Sequence, residues 1–162
     1  MLGCEPDVEP FELGYHAANP ADTRKEGIAM NAPNFALRVM LVEDIPAMRL
    51  LVRQMLRSLG IEQIIEASDG STALQLLRAQ PVDVVLSDWN MIPMTGLQLL
   101  LAMRDDVETR NIPFIMITGE HSMEHVARAR SAGVNGYLIK PFGLDTLSRQ
   151  LNKVVTTTRP AA

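Results

Sequence analysis

The sequence predicts an α/β fold built on a parallel sheet, and two observations carry that prediction. From Leu37 onward, short apolar runs alternate with segments of helical period, the form taken by repeated βα units, and five such units can be counted. Most of the runs are also short and rich in Val, Ile or Leu, as strands covered on both faces are.

Taken in order, strands are expected at Leu37 to Val42, Gln63 to Ala67, Val82 to Ser87, Phe114 to Thr118 and Gly136 to Ile139. The first helix should start near Pro46, stop at Gly60, and turn Met48, Leu51, Val52, Met55, Leu56 and Leu59 inward. A second follows Asp69-Gly70 with Ala73, Leu74 and Leu77 inward. A third follows Gly96 with Leu97, Leu100, Leu101 and Met103 inward. The fourth is expected from about Ser122 to Ala132, ended by Gly133, and the fifth from Leu144 to Val155.

Composition narrows the class. The chain has 162 residues, 47% of them hydrophobic and 21% charged, which suits one globular domain with an appended segment. Residues 1–35 contain four prolines and three glycines without an apolar period, and are expected to be a flexible acidic tail. Met30, within that segment, is a candidate internal start. The domain proper is expected at 36–157, with a short tail at 158–162. Six acidic and two basic side chains fall within residues 1–35, leaving thirteen of each in the remainder. A nearly neutral domain carries no electrostatic footprint for nucleic acid, and no apolar run is long enough to span a bilayer. Cys4 is the single cysteine, so no internal disulfide can form. The expected setting is the cytoplasm.

Ligands of parallel α/β sheets lie beyond the carboxyl ends of the strands. Glu43 and Asp44 follow the first strand, Asp88 the third and Lys140 the fifth, while Thr118 ends the fourth. Three carboxylates gathered together repel one another unless a cation or protons intervene. Oxygen-only ligation favours Mg²⁺. Singly, each residue has a bland account: Asp44 as a helix cap, Asp88 as the start of a loop, Lys140 as a solvated cation at a strand end. Their joint placement is what points to chemistry.

The motifs Val42-Glu43-Asp44, Asp88-Trp89-Asn90-Met91 with Met94 and Gly96 beyond, Ile117-Thr118-Gly119, and Tyr137-Leu138-Ile139-Lys140-Pro141-Phe142 resemble the receiver domains of bacterial response regulators, especially the single-domain chemotaxis members. The resemblance covers about residues 36–157. It implies a flavodoxin-like fold, a five-stranded parallel sheet in the order 2-1-3-4-5 with five surrounding helices. That order belongs to the family and is not read from periodicity.

The resemblance also implies a chemistry. Asp88 would accept a phosphoryl group from a sensor histidine kinase or a histidine phosphotransfer protein. Mg²⁺ would be held by Glu43, Asp44, Asp88 and the backbone carbonyl of Asn90. Lys140 and Thr118 would contact the phosphoryl group, Thr118 and Tyr137 would act as the switch, and Lys140-Pro141 would be a cis peptide. Asn90 and Glu120 flank the expected phosphoryl position and would set its lifetime. A downstream protein would bind the face of the fourth helix, fifth strand and fifth helix. With nine residues after Lys153, output is expected through such a partner. One departure stands out: Ile92 occupies the place where the family commonly has Pro, and Pro93 comes next.

Several other readings compete with this one. A magnesium-dependent aspartate-nucleophile phosphatase would carry a second acid where Asn90 stands, and a cofactor-binding flavodoxin relative would need a phosphate-cradling loop where Glu43-Asp44 stand. A receiver that has lost phosphate signalling would lack some of the reactive positions. A phosphorelay intermediate or a regulator of a non-motility target remains open beside chemotaxis. His121, His125, Arg128 and Arg130 on the fourth helix could shape the partner-binding face, though most of them read more simply as a solvated polar face.

Overall fold

The computed structural model describes residues 36–120 and 122–158. The expected tail at 1–35, His121, and residues 159–162 of the expected C-terminal tail lie outside the described residues. Ten elements alternate: β1 Arg38–Val42, α1 Pro46–Ser58, β2 Gln63–Ala67, α2 Gly70–Ala79, β3 Val84–Asp88, α3 Gly96–Asp105, β4 Phe114–Thr118, α4 Met123–Ser131, β5 Gly136–Ile139 and α5 Leu144–Thr158. The strands form one parallel sheet in the order β2-β1-β3-β4-β5, the flavodoxin-like arrangement expected from the resemblance.

Because side chains alternate across a strand, the sheet feeds two cores. Val39, Leu41, Val84, Leu86, Ile115, Ile117 and Leu138 face α1 and α5, meeting Val52, Leu56, Leu147, Leu151 and Val154. Met40, Val42, Val85, Phe114, Met116 and Tyr137 face the other helices, meeting Ala73, Leu77, Leu99, Leu100, Met103, Val126 and Ala129. Each fully buried aliphatic side chain contributes about 1.5–3 kcal/mol against exposure, so the two layers hold the strand ends in register.

The structure corrects several expectations. β1 starts at Arg38, although Leu37 is buried. β3 runs from Val84 to Asp88, so Asp88 is the last residue of the strand and does not lie beyond it; Asp83 turns aside to accept from the Arg38 backbone N–H at 2.7 Å. Leu51 and Leu101 are about half exposed, while Leu99 is fully buried. In α1 and α3 the buried stripe is narrower than the apolar sequence pattern, because each helix rests on the sheet along one line. α5 continues past Val155 to Thr158. α1 and α4 end near Gly60 and Gly133, which hold φ of 81° and 85°.

Helix starts are set locally. The Asp69 carboxylate accepts from the backbone N–H groups of Ser71 and Thr72 at 2.8 and 3.0 Å, and Thr95 with Gln98 forms a reciprocal capping box on α3. The Thr72 backbone bond holds the Asp69 carboxyl below its ordinary value of 3.8, against a smaller opposing effect of burial. A depressed acid stabilises the fold above its unfolded pKa and loses that contribution as pH falls through the folded one. Asp69→Ala should cost about 1 kcal/mol at neutral pH, with an unchanged denaturant slope. The deficit should shrink toward zero as the pH of urea unfolding is lowered below about 4.

A buried acid pair bridged by Lys140

The sheet order decides which sequence-predicted residues meet. β1 and β3 are neighbours, with Val42 in register with Ser87, so Glu43, Asp44 and Asp88 gather at one edge. Oxygen atoms of these three carboxylates lie within 4.8 Å of one another. Glu43 and Asp88 are buried, at 2% and 6% exposure, and Asp44 is exposed. The N-cap of α1 is Ile45, so Asp44 is not the helix cap its position allowed.

Lys140 reaches this edge from β5, across β4. Its Nζ donates to Asp88 Oδ1 at 2.7 Å and to Glu43 Oε2 at 3.0 Å. The remaining oxygens of the buried acids are also satisfied: Asp88 Oδ2 accepts from the Asn90 backbone N–H at 2.9 Å, and Glu43 Oε1 from that of Ile45 at 3.2 Å. The Lys140-Pro141 peptide is cis, as is Ile92-Pro93.

Burial pushes the Glu43 carboxyl above its ordinary value, opposed by the Lys140 hydrogen bond and reinforced by the Asp88 charge. For Lys140, burial acts to lower the pKa, but hydrogen bonds to Asp88 and Glu43 outweigh it and raise the ammonium above 10.5. Lys140 therefore stays charged. Its contribution to stability is present below 10.5 and is lost as pH rises through the folded value.

Formal charge provides the test of a metal. Three carboxylates against one ammonium leave two negative charges, and the donors are all oxygen. That set fits a hard divalent cation such as Mg²⁺.

Thr118 and Tyr137 converge on Glu120. The Glu120 backbone N–H donates to Thr118 Oγ1 at 3.0 Å, and Tyr137 Oη donates to the Glu120 carbonyl at 3.3 Å. The Tyr137 ring is already inward, 5% exposed. Its burial, helped by the Glu120 charge and opposed by the Thr118 hydroxyl, raises the phenol pKa, so the donor proton is retained.

Three supporting features escaped the sequence reading. Arg49 of α1 donates to the Glu43 carbonyl at 2.6 Å and pairs with Glu66 at 3.2 Å, pinning the acid loop to β2. At Gly96, an added Cβ would lie 2.1 Å from the Asp88 carbonyl oxygen, so only glycine lets α3 approach β3 this closely. His125 pairs with Glu120 at 3.1 Å and stands against the Trp89 ring, so it is not merely part of a solvated face. The nearest sequence signal was Gly96 just before an apolar helical period; Arg49 and His125 gave none.

Lys140→Met would leave Glu43 and Asp88 buried without their cation. It should lose about 3 kcal/mol in metal-free urea unfolding and regain more stability on adding Mg²⁺ than wild type does. An equal Mg²⁺ response in both proteins would contradict this account of the charge balance.

Comparison with known proteins agrees with the geometry. The family described as response regulator receiver domain matches residues 39–152. Chemotaxis protein CheY-3 of Vibrio cholerae is 42% identical over 121 residues, covering 75% of this chain and 93% of the relative. Chemotaxis protein CheY of Pseudomonas aeruginosa is 38% identical, covering 73% and 95%. Among solved structures, V. cholerae chemotaxis protein CheY4 superposes with a TM-score of 0.68 at 34% identity, over 73% of this chain and 98% of that one. The receiver domain of a P. aeruginosa PAO1 sensor histidine kinase, with magnesium coordinated in its active site cleft, gives 0.69 at 29% identity, over 74% and 98%. Among the described residues no helix is long and apolar enough to cross a membrane. With its parallel sheet, its three-acid edge and these relatives, the chain belongs to the response-regulator receiver domains and is a homologue of CheY-type chemotaxis proteins.

Proposed function

We propose that this chain acts as a response-regulator receiver in a cytoplasmic phosphorelay, with Asp88 as phosphoacceptor, and that it is not a turnover enzyme. The observation that carries the reading is the bridge of Lys140 between Glu43 and Asp88 inside the three-acid edge. A buried carboxylate with an ammonium bonded to it is a nucleophile whose charge is partly offset.

In this reading the phosphoryl donor is a phosphohistidine on a sensor kinase or a histidine phosphotransfer protein. Its P–N bond breaks as an O–P bond forms to Asp88, and the departing imidazole takes a proton. Glu43, Asp44, Asp88 and the Asn90 carbonyl would hold Mg²⁺, which when bound supplies positive charge against the phosphoryl oxygens. Lys140 exchanges its bond to Asp88 for one to a phosphoryl oxygen. The Thr118 hydroxyl gives up the Glu120 N–H and donates to another. Tyr137 reads the position of Thr118 and biases the face of α4, β5 and α5 on which a downstream protein docks.

The chemotaxis relatives favour chemotaxis as the circuit it serves. The similarity to a receiver domain from a sensor histidine kinase supports a second reading, a phosphorelay intermediate or regulator of a non-motility target.

Incubation with acetyl phosphate and Mg²⁺ should add one phosphoryl group to wild type by intact mass and none to Asp88→Asn; equal labelling of both would overturn the assignment. Followed over time after donor removal, the label should persist at least several-fold longer when Asn90 and Glu120 are both replaced by apolar residues, because water loses its polar guides to the acyl phosphate. An unchanged lifetime would remove both residues from that role.

A further inference from the structure

Glu120 is held at three points. Its N–H donates to Thr118, its carbonyl accepts from Tyr137, and its carboxylate Oε2 lies 3.1 Å from His125 Nε2. His125 has its own supports: Nδ1 meets Ser122 Oγ at 2.7 Å, and the ring stands edge-on to Trp89, with centroids 4.9 Å apart and planes at 68°. Ser122 Oγ already accepts from the His125 backbone N–H at 3.3 Å, which caps α4. A carboxylate only accepts, so the contact with Glu120 assigns a proton to Nε2, and Nδ1 of a neutral imidazole then accepts from the Ser122 hydroxyl.

We propose that His125 is a positioning residue, which holds the Glu120 carboxylate against the first turn of α4 and so fixes the Glu120 carbonyl that receives Tyr137. The tether favours the inward Tyr137 and, through the Trp89 ring, ties α4 to the residue directly after Asp88. Its kinetic consequence rests on the phosphoacceptor reading; its geometry does not. The Glu120 side chain is 55% exposed, so the pair has the strength of a partly solvated one, and its loss should change rates by about two- to fivefold.

The test compares full-chain wild type, His125→Gln, Glu120→Gln, Glu120→Ala and the Glu120→Ala/His125→Gln double variant. Trp89 is the single tryptophan, so its emission in unlabelled protein reads the ring contact, while the initial rate of labelling by acetyl phosphate with Mg²⁺ reads the consequence. Glu120→Ala should alter the emission only while His125 is present. His125→Gln should slow labelling two- to fivefold in the wild-type background and not at all in Glu120→Ala. Glu120→Gln, which keeps an acceptor for Nε2–H, should fall closer to wild type than Glu120→Ala does. Independent effects of the two substitutions, or an emission indifferent to Glu120, would overturn the tether. Coupled emission in a protein that takes no label would support the tether and refute the phosphoacceptor reading alone.

Discussion

The ammonium of Lys140, set between Glu43 and Asp88, is the contact on which the rest of the site depends. Two buried carboxylates at the ends of neighbouring strands would each be costly to ionise. The lysine offsets one charge and leaves the edge negative, which is the condition for attracting a divalent cation. It can do so only because β5 lies two strands from β3 in the same parallel sheet, with its Lys140 N–H bonded to the Thr118 carbonyl at 2.8 Å. The sheet order is therefore part of the chemistry.

Around this contact the backbone is tightly specified. Arg49 fixes the carbonyl of Glu43 from α1, and the Asn90 N–H occupies Asp88 Oδ2. The turn between them and α3 closes with the Gly96 N–H bonded to the Trp89 carbonyl at 2.9 Å. Within that turn the Ile92-Pro93 departure projects Ile92 into solvent, 87% exposed, while the bonds on either side of it remain in place.

The two sides of the site differ in how they are restrained. On the β1 side, buried acids and α1 leave little freedom. On the β4 side, Thr118, Glu120 and Tyr137 are joined by single hydrogen bonds of 3.0 and 3.3 Å, with the partly exposed His125–Glu120 contact beyond them. Bonds of that kind are individually weak, so this side is held more by the packing of Tyr137 in the core than by its hydrogen bonds.

Sequence by itself determined the alternation of elements, all five helix starts to within a residue, and the acids, hydroxyl and lysine at strand ends. Period and punctuation are local properties, and a residue at a strand end stays there in any order of strands. Sequence turned Leu51 and Leu101 inward, because helical period marks an apolar face wider than the line of contact with the sheet, and it passed over Leu99, which is fully buried. It also set Asp88 one step beyond its strand. Only the tertiary structure decided that Glu43, Asp88 and Lys140 share one hydrogen-bonded bridge, and that His125 belongs to the site through Glu120 and Trp89. Those contacts join residues brought together by the packing of separate elements, and no spacing along the chain encodes them.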